Sequence, residues 1–157
     1  MGRLPAISGQ NLLGEAKRLP SDLPVERIVI VTAFLRRHQA AVDRWITELA
    51  KAGICDSPLY LKPDTKNLVL EFPVMAPRAR FVRKFIDGGM AAAIKKAQIL
   101  TRTWTFYTSV DDFCDSTGIV DRKQIATLVC DQAGNVLALT PGEITREKLD
   151  LILEALS

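Results

Sequence analysis

Apolar residues fall along this chain in two kinds of pattern, unbroken β-branched runs and positions at helical spacing, and their order predicts an α/β fold. Residues 27–35 contain Ile28-Val29-Ile30-Val31, a run without polar alternation that predicts a strand covered on both faces. Val42, Trp45, Ile46 and Leu49 then recur at helical spacing across residues 38–52, with Asp43, Arg44, Glu48 and Lys51 opposite and Gly53 as a stop. Together they make a β-α unit. Residues 59–62 and 67–73 read as short strands parted by Pro63-Asp64-Thr65-Lys66, which has turn chemistry. Pro77 opens another helical pattern with Phe81, Val82, Phe85 and Ile86 inward and Arg80, Arg83 and Lys84 outward. Gly88-Gly89 interrupts it, and residues 90–97 resume as a second short helix.

The C-terminal half repeats the alternation with different connections. Residues 103–108 are rich in Thr and aromatics and predict a strand, with Trp104 and Phe106 on its core side. Residues 110–116 predict a short helix ended by Gly118. Residues 125–131 and 136–140 flank Gln132-Ala133-Gly134-Asn135 and read as a β-hairpin. Thr145 can cap a last helix whose apolar face is Leu149, Ile152, Leu153 and Leu156. A parallel β-α opening joined to a hairpin-helix ending predicts one mixed sheet with helices on both faces. Residues 1–157 form a single domain in this reading, with 1–24, including the turn-rich Leu19-Pro20-Ser21-Asp22-Leu23-Pro24, as a leading segment.

Composition narrows the class. Hydrophobic residues make up 48% and charged residues 25% of the 157, which excludes disordered and low-complexity chains. Apolar runs are far shorter than the roughly 18 residues a membrane span needs, and residues 1–10 lack a signal-peptide core, so a cytoplasmic location is expected. A net charge of +3 is too small to imply nucleic acid. Cys55, Cys114 and Cys130 lie 59 and 16 residues apart and His38 stands alone, so neither a C-x-x-C pair nor a clustered zinc site is present, and no cofactor is expected.

Several segments together resemble the thioredoxin-like superfamily, especially its peroxiredoxin and membrane-anchored thiol-reductase branches. The resemblance covers residues 12–156. It is carried by Leu12-Leu13-Gly14 through Leu23-Pro24, by the strand at 28–34 running into a helix, and by Ala126-Thr127-Leu128-Val129-Cys130-Asp131 with Gln132 to Val136, followed by Gly142 and a closing helix. A finer likeness lies in Phe85-Ile86-Asp87-Gly88-Gly89-Met90, Asp112-Phe113 and the hairpin. These are similar to thioredoxin-like proteins related to the mitochondrial assembly factors of ATP synthase, which lack redox cysteines and act on other proteins. This resemblance implies a thioredoxin-like mixed sheet and a chaperone-like role.

Redox members of the superfamily place their nucleophilic Cys just after the first central strand, where a helix N-terminus stabilises a thiolate. Here that window reads Thr32-Ala33-Phe34-Leu35-Arg36-Arg37-His38-Gln39-Ala40-Ala41, without Cys. Those members also carry a Pro before the hairpin strand, whereas this chain has Lys123-Gln124-Ile125-Ala126. Both halves of a thiol site are missing. The cluster Arg36, Arg37, His38 and Gln39 falls where the thiol would be, and guanidinium groups beside free backbone N–H groups suit a phosphate or carboxylate. Its plainer alternative is a solvated basic turn. Asp87, Gly88, Gly89 and Met90 form a second candidate binding bend, or a simple helix junction. The function expected is therefore recognition of a protein partner or a small anion without redox chemistry. The alternative is an atypical thiol peroxidase or reductase using Cys114 and Cys130. Its obstacles are Asp111, Asp112 and Asp115 around Cys114 and the apolar strand around Cys130, since negative neighbours and burial both raise a thiol pKa.

Overall fold

The structure is a computed structural model and describes residues 2–77 and 90–157. Among the described residues seven strands form one sheet: β1 (Ser8–Asn11), β2 (Ala16–Arg18), β3 (Arg27–Ala33), β4 (Asn67–Met75), β5 (Trp104–Tyr107), β6 (Ala126–Asp131) and β7 (Val136–Pro141). They are ordered β2-β1-β5-β4-β3-β6-β7. The β-branched run predicts a doubly covered strand, and β3 is central, parallel to β4 (Ile28 opposite Leu68) and antiparallel to β6 (Ile28 opposite Cys130). Four helices among the described residues flank the sheet: α1 (Gln39–Lys51), α2 (Met90–Arg102), α3 (Val110–Thr117) and α4 (Arg146–Ala155).

Strand alternation divides the core in two. On one face Ile28, Ile30, Leu70, Phe72, Trp104 and Phe106 pack with Phe113 of α3. On the other, Val29, Val31, Val69 and Val129 meet Trp45 and Leu49 of α1 and Ile152 of α4. Trp45 also donates its indole N–H to the Gly142 carbonyl at 3.0 Å, tying α1 to the end of β7. The hairpin turns through Gly134 at φ 89°, and Thr145 caps α4 by accepting the Lys148 N–H.

The structure departs from the sequence reading at the N-terminal side of the sheet and in its loops. Residues 59–62 are not a strand: Pro58–Tyr60 is a 3-10 turn, because Pro58 presets φ and the Ser57 hydroxyl accepts the Leu59 N–H. The leading segment is not turns alone, since β1 and β2 form a hairpin that extends the sheet beside β5. Gly9 permits this, for a Cβ there would sit 2.3 Å from the Thr105 carbonyl oxygen. α2 continues past residue 97 to Arg102. The helix expected after Pro77 and the Gly88-Gly89 bend lie outside the described residues. Among the described residues no helix is long and apolar enough to cross a membrane.

Candidate functional site

β3 ends at Ala33 with buried Phe34 after it, and the chain emerges at Leu35, extended at φ −136° and 40% exposed. Arg36–His38 then make a 3-10 turn that runs into α1. This turn separates residues that stand together in the sequence. Arg36 and Arg37 are exposed, while His38 and Gln39 are half-buried and face different partners.

The turn also changes the expected anion receptor. His38 N–H is bonded to the Leu35 carbonyl at 3.1 Å and Gln39 N–H to the Arg36 carbonyl, so these two backbone donors are engaged. The Gln39 side chain donates to Asp43 Oδ1 at 3.0 Å and to Glu71 Oε2 at 3.2 Å. Glu71 is buried on β4, on the face α1 covers. Gln39 therefore sits among carboxylates, a poor place for an anion, and any anion must be held by the guanidinium side.

His38 faces the other way. Its Nε2 lies 2.8 Å from the Lys123 carbonyl oxygen, which can only accept, so the ring carries its proton on Nε2. Nδ1 is buried and has no hydrogen-bond partner among the described residues. The Lys123 N–H is bonded in turn to Asp121 Oδ1 at 2.8 Å, and Gln124 donates to Asp121 Oδ2 at 3.0 Å. These bonds, the Gln124 amide first and the Lys123 N–H next, hold the Asp121 carboxyl below its ordinary range. The loop between α3 and β6 is thus fixed by its own carboxylate and latched to the start of α1.

Two cavities flank this latch. One, of about 690 Å³, is lined by Phe34, Leu35, Met75 and Val110 together with Arg36, Arg122 and Lys123. The second, of about 300 Å³, is lined by Arg37, His38, Arg44, Lys123, Gln124 and Glu143, among others. Arg44 is ion-paired with Glu143, and Arg122 with Asp111.

The thiols lie elsewhere. Cys114 on α3 and Cys130 on β6 are buried in the same core face, both free. Burial, with Asp131 beside it, pushes the Cys130 thiol up to about 12. Burial is also the largest cause raising Cys114; Arg122 opposes it, while Asp111 and Asp115 reinforce it. Cys55 is half-buried and donates its Sγ–H to the Ser57 carbonyl. Among the described residues no group of His, Cys, Asp and Glu is placed to hold a metal ion. Asp87, Gly88 and Gly89 lie outside the described residues, and Met90 opens α2.

Sequence reading missed Glu71, Arg122 and Lys123. A single carboxylate inside the apolar stretch Leu68 to Phe72 was the available signal for Glu71, because a charge in a doubly covered strand needs a partner. Lys123 enters the sequence reading only within the stretch that lacks the Pro, and its carbonyl bond to His38 leaves no mark in the sequence.

No family model matches this chain, and neither does any curated protein sequence. Solved structures do match over nearly all of its length. An exposed lipoprotein thioredoxin from Streptococcus pneumoniae strain TIGR4 is 15% identical with a TM-score of 0.54, covering 97% of this chain and 98% of that one. A thio-disulfide isomerase from Thermus thermophilus is 18% identical, TM-score 0.54, covering 98% and 94%. BsSco, a member of the Sco family of cytochrome c oxidase assembly proteins, is 14% identical, TM-score 0.56, covering 99% and 94%. These likenesses run over nearly the whole length of each chain, and this chain has the thioredoxin-like fold.

Proposed function

We propose that this protein is a non-redox thioredoxin-like binding module that recognises a protein partner or a small anion, serving other proteins as an assembly or chaperone-like factor. One observation carries the reading. At the carboxyl end of the central strand, where α/β folds gather their ligands, the chain puts an apolar cavity and exposed guanidinium groups and no thiol. The buried thiols are disfavoured as nucleophiles, since the thiolate is the reactive form and burial suppresses it. Three unpaired cysteines also fit a reducing compartment, which supports a cytoplasmic location. The reading needs no cofactor, nucleic acid or membrane span.

The test uses the full chain as bait in three forms: wild type, the cysteine-free protein (each Cys→Ala), and Arg36→Ala/Arg37→Ala. Calorimetric titration with inorganic phosphate runs in parallel. Capture of the same partner by the first two forms, with loss in the third, is the expected result. No specific capture together with no phosphate binding sinks the proposal.

A further inference from the structure

We propose that the occupant of this site is a partner's linear segment in which carboxylates neighbour an aliphatic or aromatic side chain, read by side chains and not by strand pairing. The inference rests on the recognition reading above and names its ligand. The two cavities share Lys123, so the apolar one and the polar one adjoin. A ligand lying across the latch has the apolar walls Phe34, Leu35 and Val110 in one cavity and Arg37 in the other, with Lys123 common to both.

The charges around the latch select the sign of the ligand. Arg44 and Arg122 are already neutralised by Glu143 and Asp111. Arg37 and Lys123 enter no salt bridge among the described residues, although the Asp121 carboxylate lies close enough to Lys123 to offset part of its charge. Arg36, Arg37, Arg44, Arg122 and Lys123 still outnumber Asp111, Asp121 and Glu143 there, so an acidic segment is attracted and a basic one meets repulsion. The backbone offers little, because the Lys123 N–H is bonded to Asp121 and its carbonyl to His38. A segment adding itself as a strand at that residue would have to break both bonds. Leu35, exposed while its neighbour Phe34 is buried, supplies the apolar contact that a free phosphate would not use.

The experiment is fluorescence anisotropy of the full chain with three labelled synthetic peptides, each bearing an apolar pair followed by two Glu, two Gln or two Lys. The Glu peptide binds in this account, and the Gln peptide binds roughly three- to thirtyfold more weakly, as two exposed charge contacts allow. The double variant Arg37→Glu/Lys123→Glu reverses the order of the Glu and Lys peptides. Leu35→Asp weakens the Glu peptide while leaving the fold intact by circular dichroism. Equal binding of Glu and Lys peptides, or a Glu-peptide affinity unmoved by the charge reversal, overturns the inference. Phosphate binding that depends on Arg37 and Lys123 without any peptide binding also overturns it and leaves the recognition reading standing. If no ligand binds and partner capture is indifferent to Arg36→Ala/Arg37→Ala, the recognition reading itself falls.

Discussion

Replacing Cys130 by Ala gives a stability difference that changes with pH in a calculable way. Cys130 is fully buried in β6, and its thiol is pushed up to about 12. In the unfolded chain the same thiol titrates at an ordinary value of about 9. The folded-state value is the raised one, so the thiol's contribution is fully present below about pH 9 and is lost as pH climbs towards about 12. In that interval the unfolded chain has lost a proton that the folded chain keeps, and wild-type stability falls by about 1.4 kcal/mol per pH unit. By about pH 10 the loss amounts to about 1.4 kcal/mol. Removing the sulfur costs on the order of 1 kcal/mol at neutral pH, comparable to deleting one buried methyl group. Urea denaturation of wild type and Cys130→Ala at about pH 7 and about pH 10, under reducing conditions, isolates this group, because other alkaline titrations are common to both proteins. Wild type is expected to be the more stable at neutral pH and to lose that advantage at the alkaline one. A gap that stays constant between the two conditions refutes the burial argument.

Other substitutions probe the scaffold and the latch. Gly9→Ala drives a Cβ to 2.3 Å from the Thr105 carbonyl oxygen and 2.6 Å from the Phe106 ring, and it should cost about 1–3 kcal/mol in a thermal melt through loss of the β1–β5 pairing. Trp45→Phe leaves the Gly142 carbonyl without its indole donor, for an expected loss of about 1–3 kcal/mol in urea; an unchanged midpoint would mean the bond is not formed. His38→Ala frees the Lys123 carbonyl, so amide exchange at Lys123 and Gln124 should quicken while global stability moves by roughly 1 kcal/mol or less. Exchange as slow as in wild type would show that the latch does not order the loop.

The elements that could be read from sequence are those whose packing is written locally. Ile28 to Val31 has no polar face, so its central place follows, and Trp45 with Leu49 marks the buried side of α1 without knowledge of the sheet. The β1–β2 hairpin was hidden because its residues are short in run and largely exposed, and its existence depends on Gly9 letting β5 approach. Residues 58–60 misled for the opposite reason: Leu59 and Tyr60 look like strand residues, yet Ser57 and Pro58 decide the backbone. At the candidate site the sequence groups four residues that the 3-10 geometry separates. Gln39 and His38 find their partners 32 and 85 positions away, at Glu71 and Lys123. Long-range partners of that kind leave no periodic trace.

The central claim, that this thioredoxin-like domain works without thiol chemistry, is tested most directly by alkylation kinetics of the native chain, resolved thiol by thiol by peptide mass spectrometry from about pH 5 to about pH 9. The buried positions of Cys114 and Cys130 predict that neither is alkylated in the folded protein below neutral pH, and that both react once urea unfolds it. Rapid alkylation of either one in the folded protein below neutral pH would contradict the account and restore a redox function.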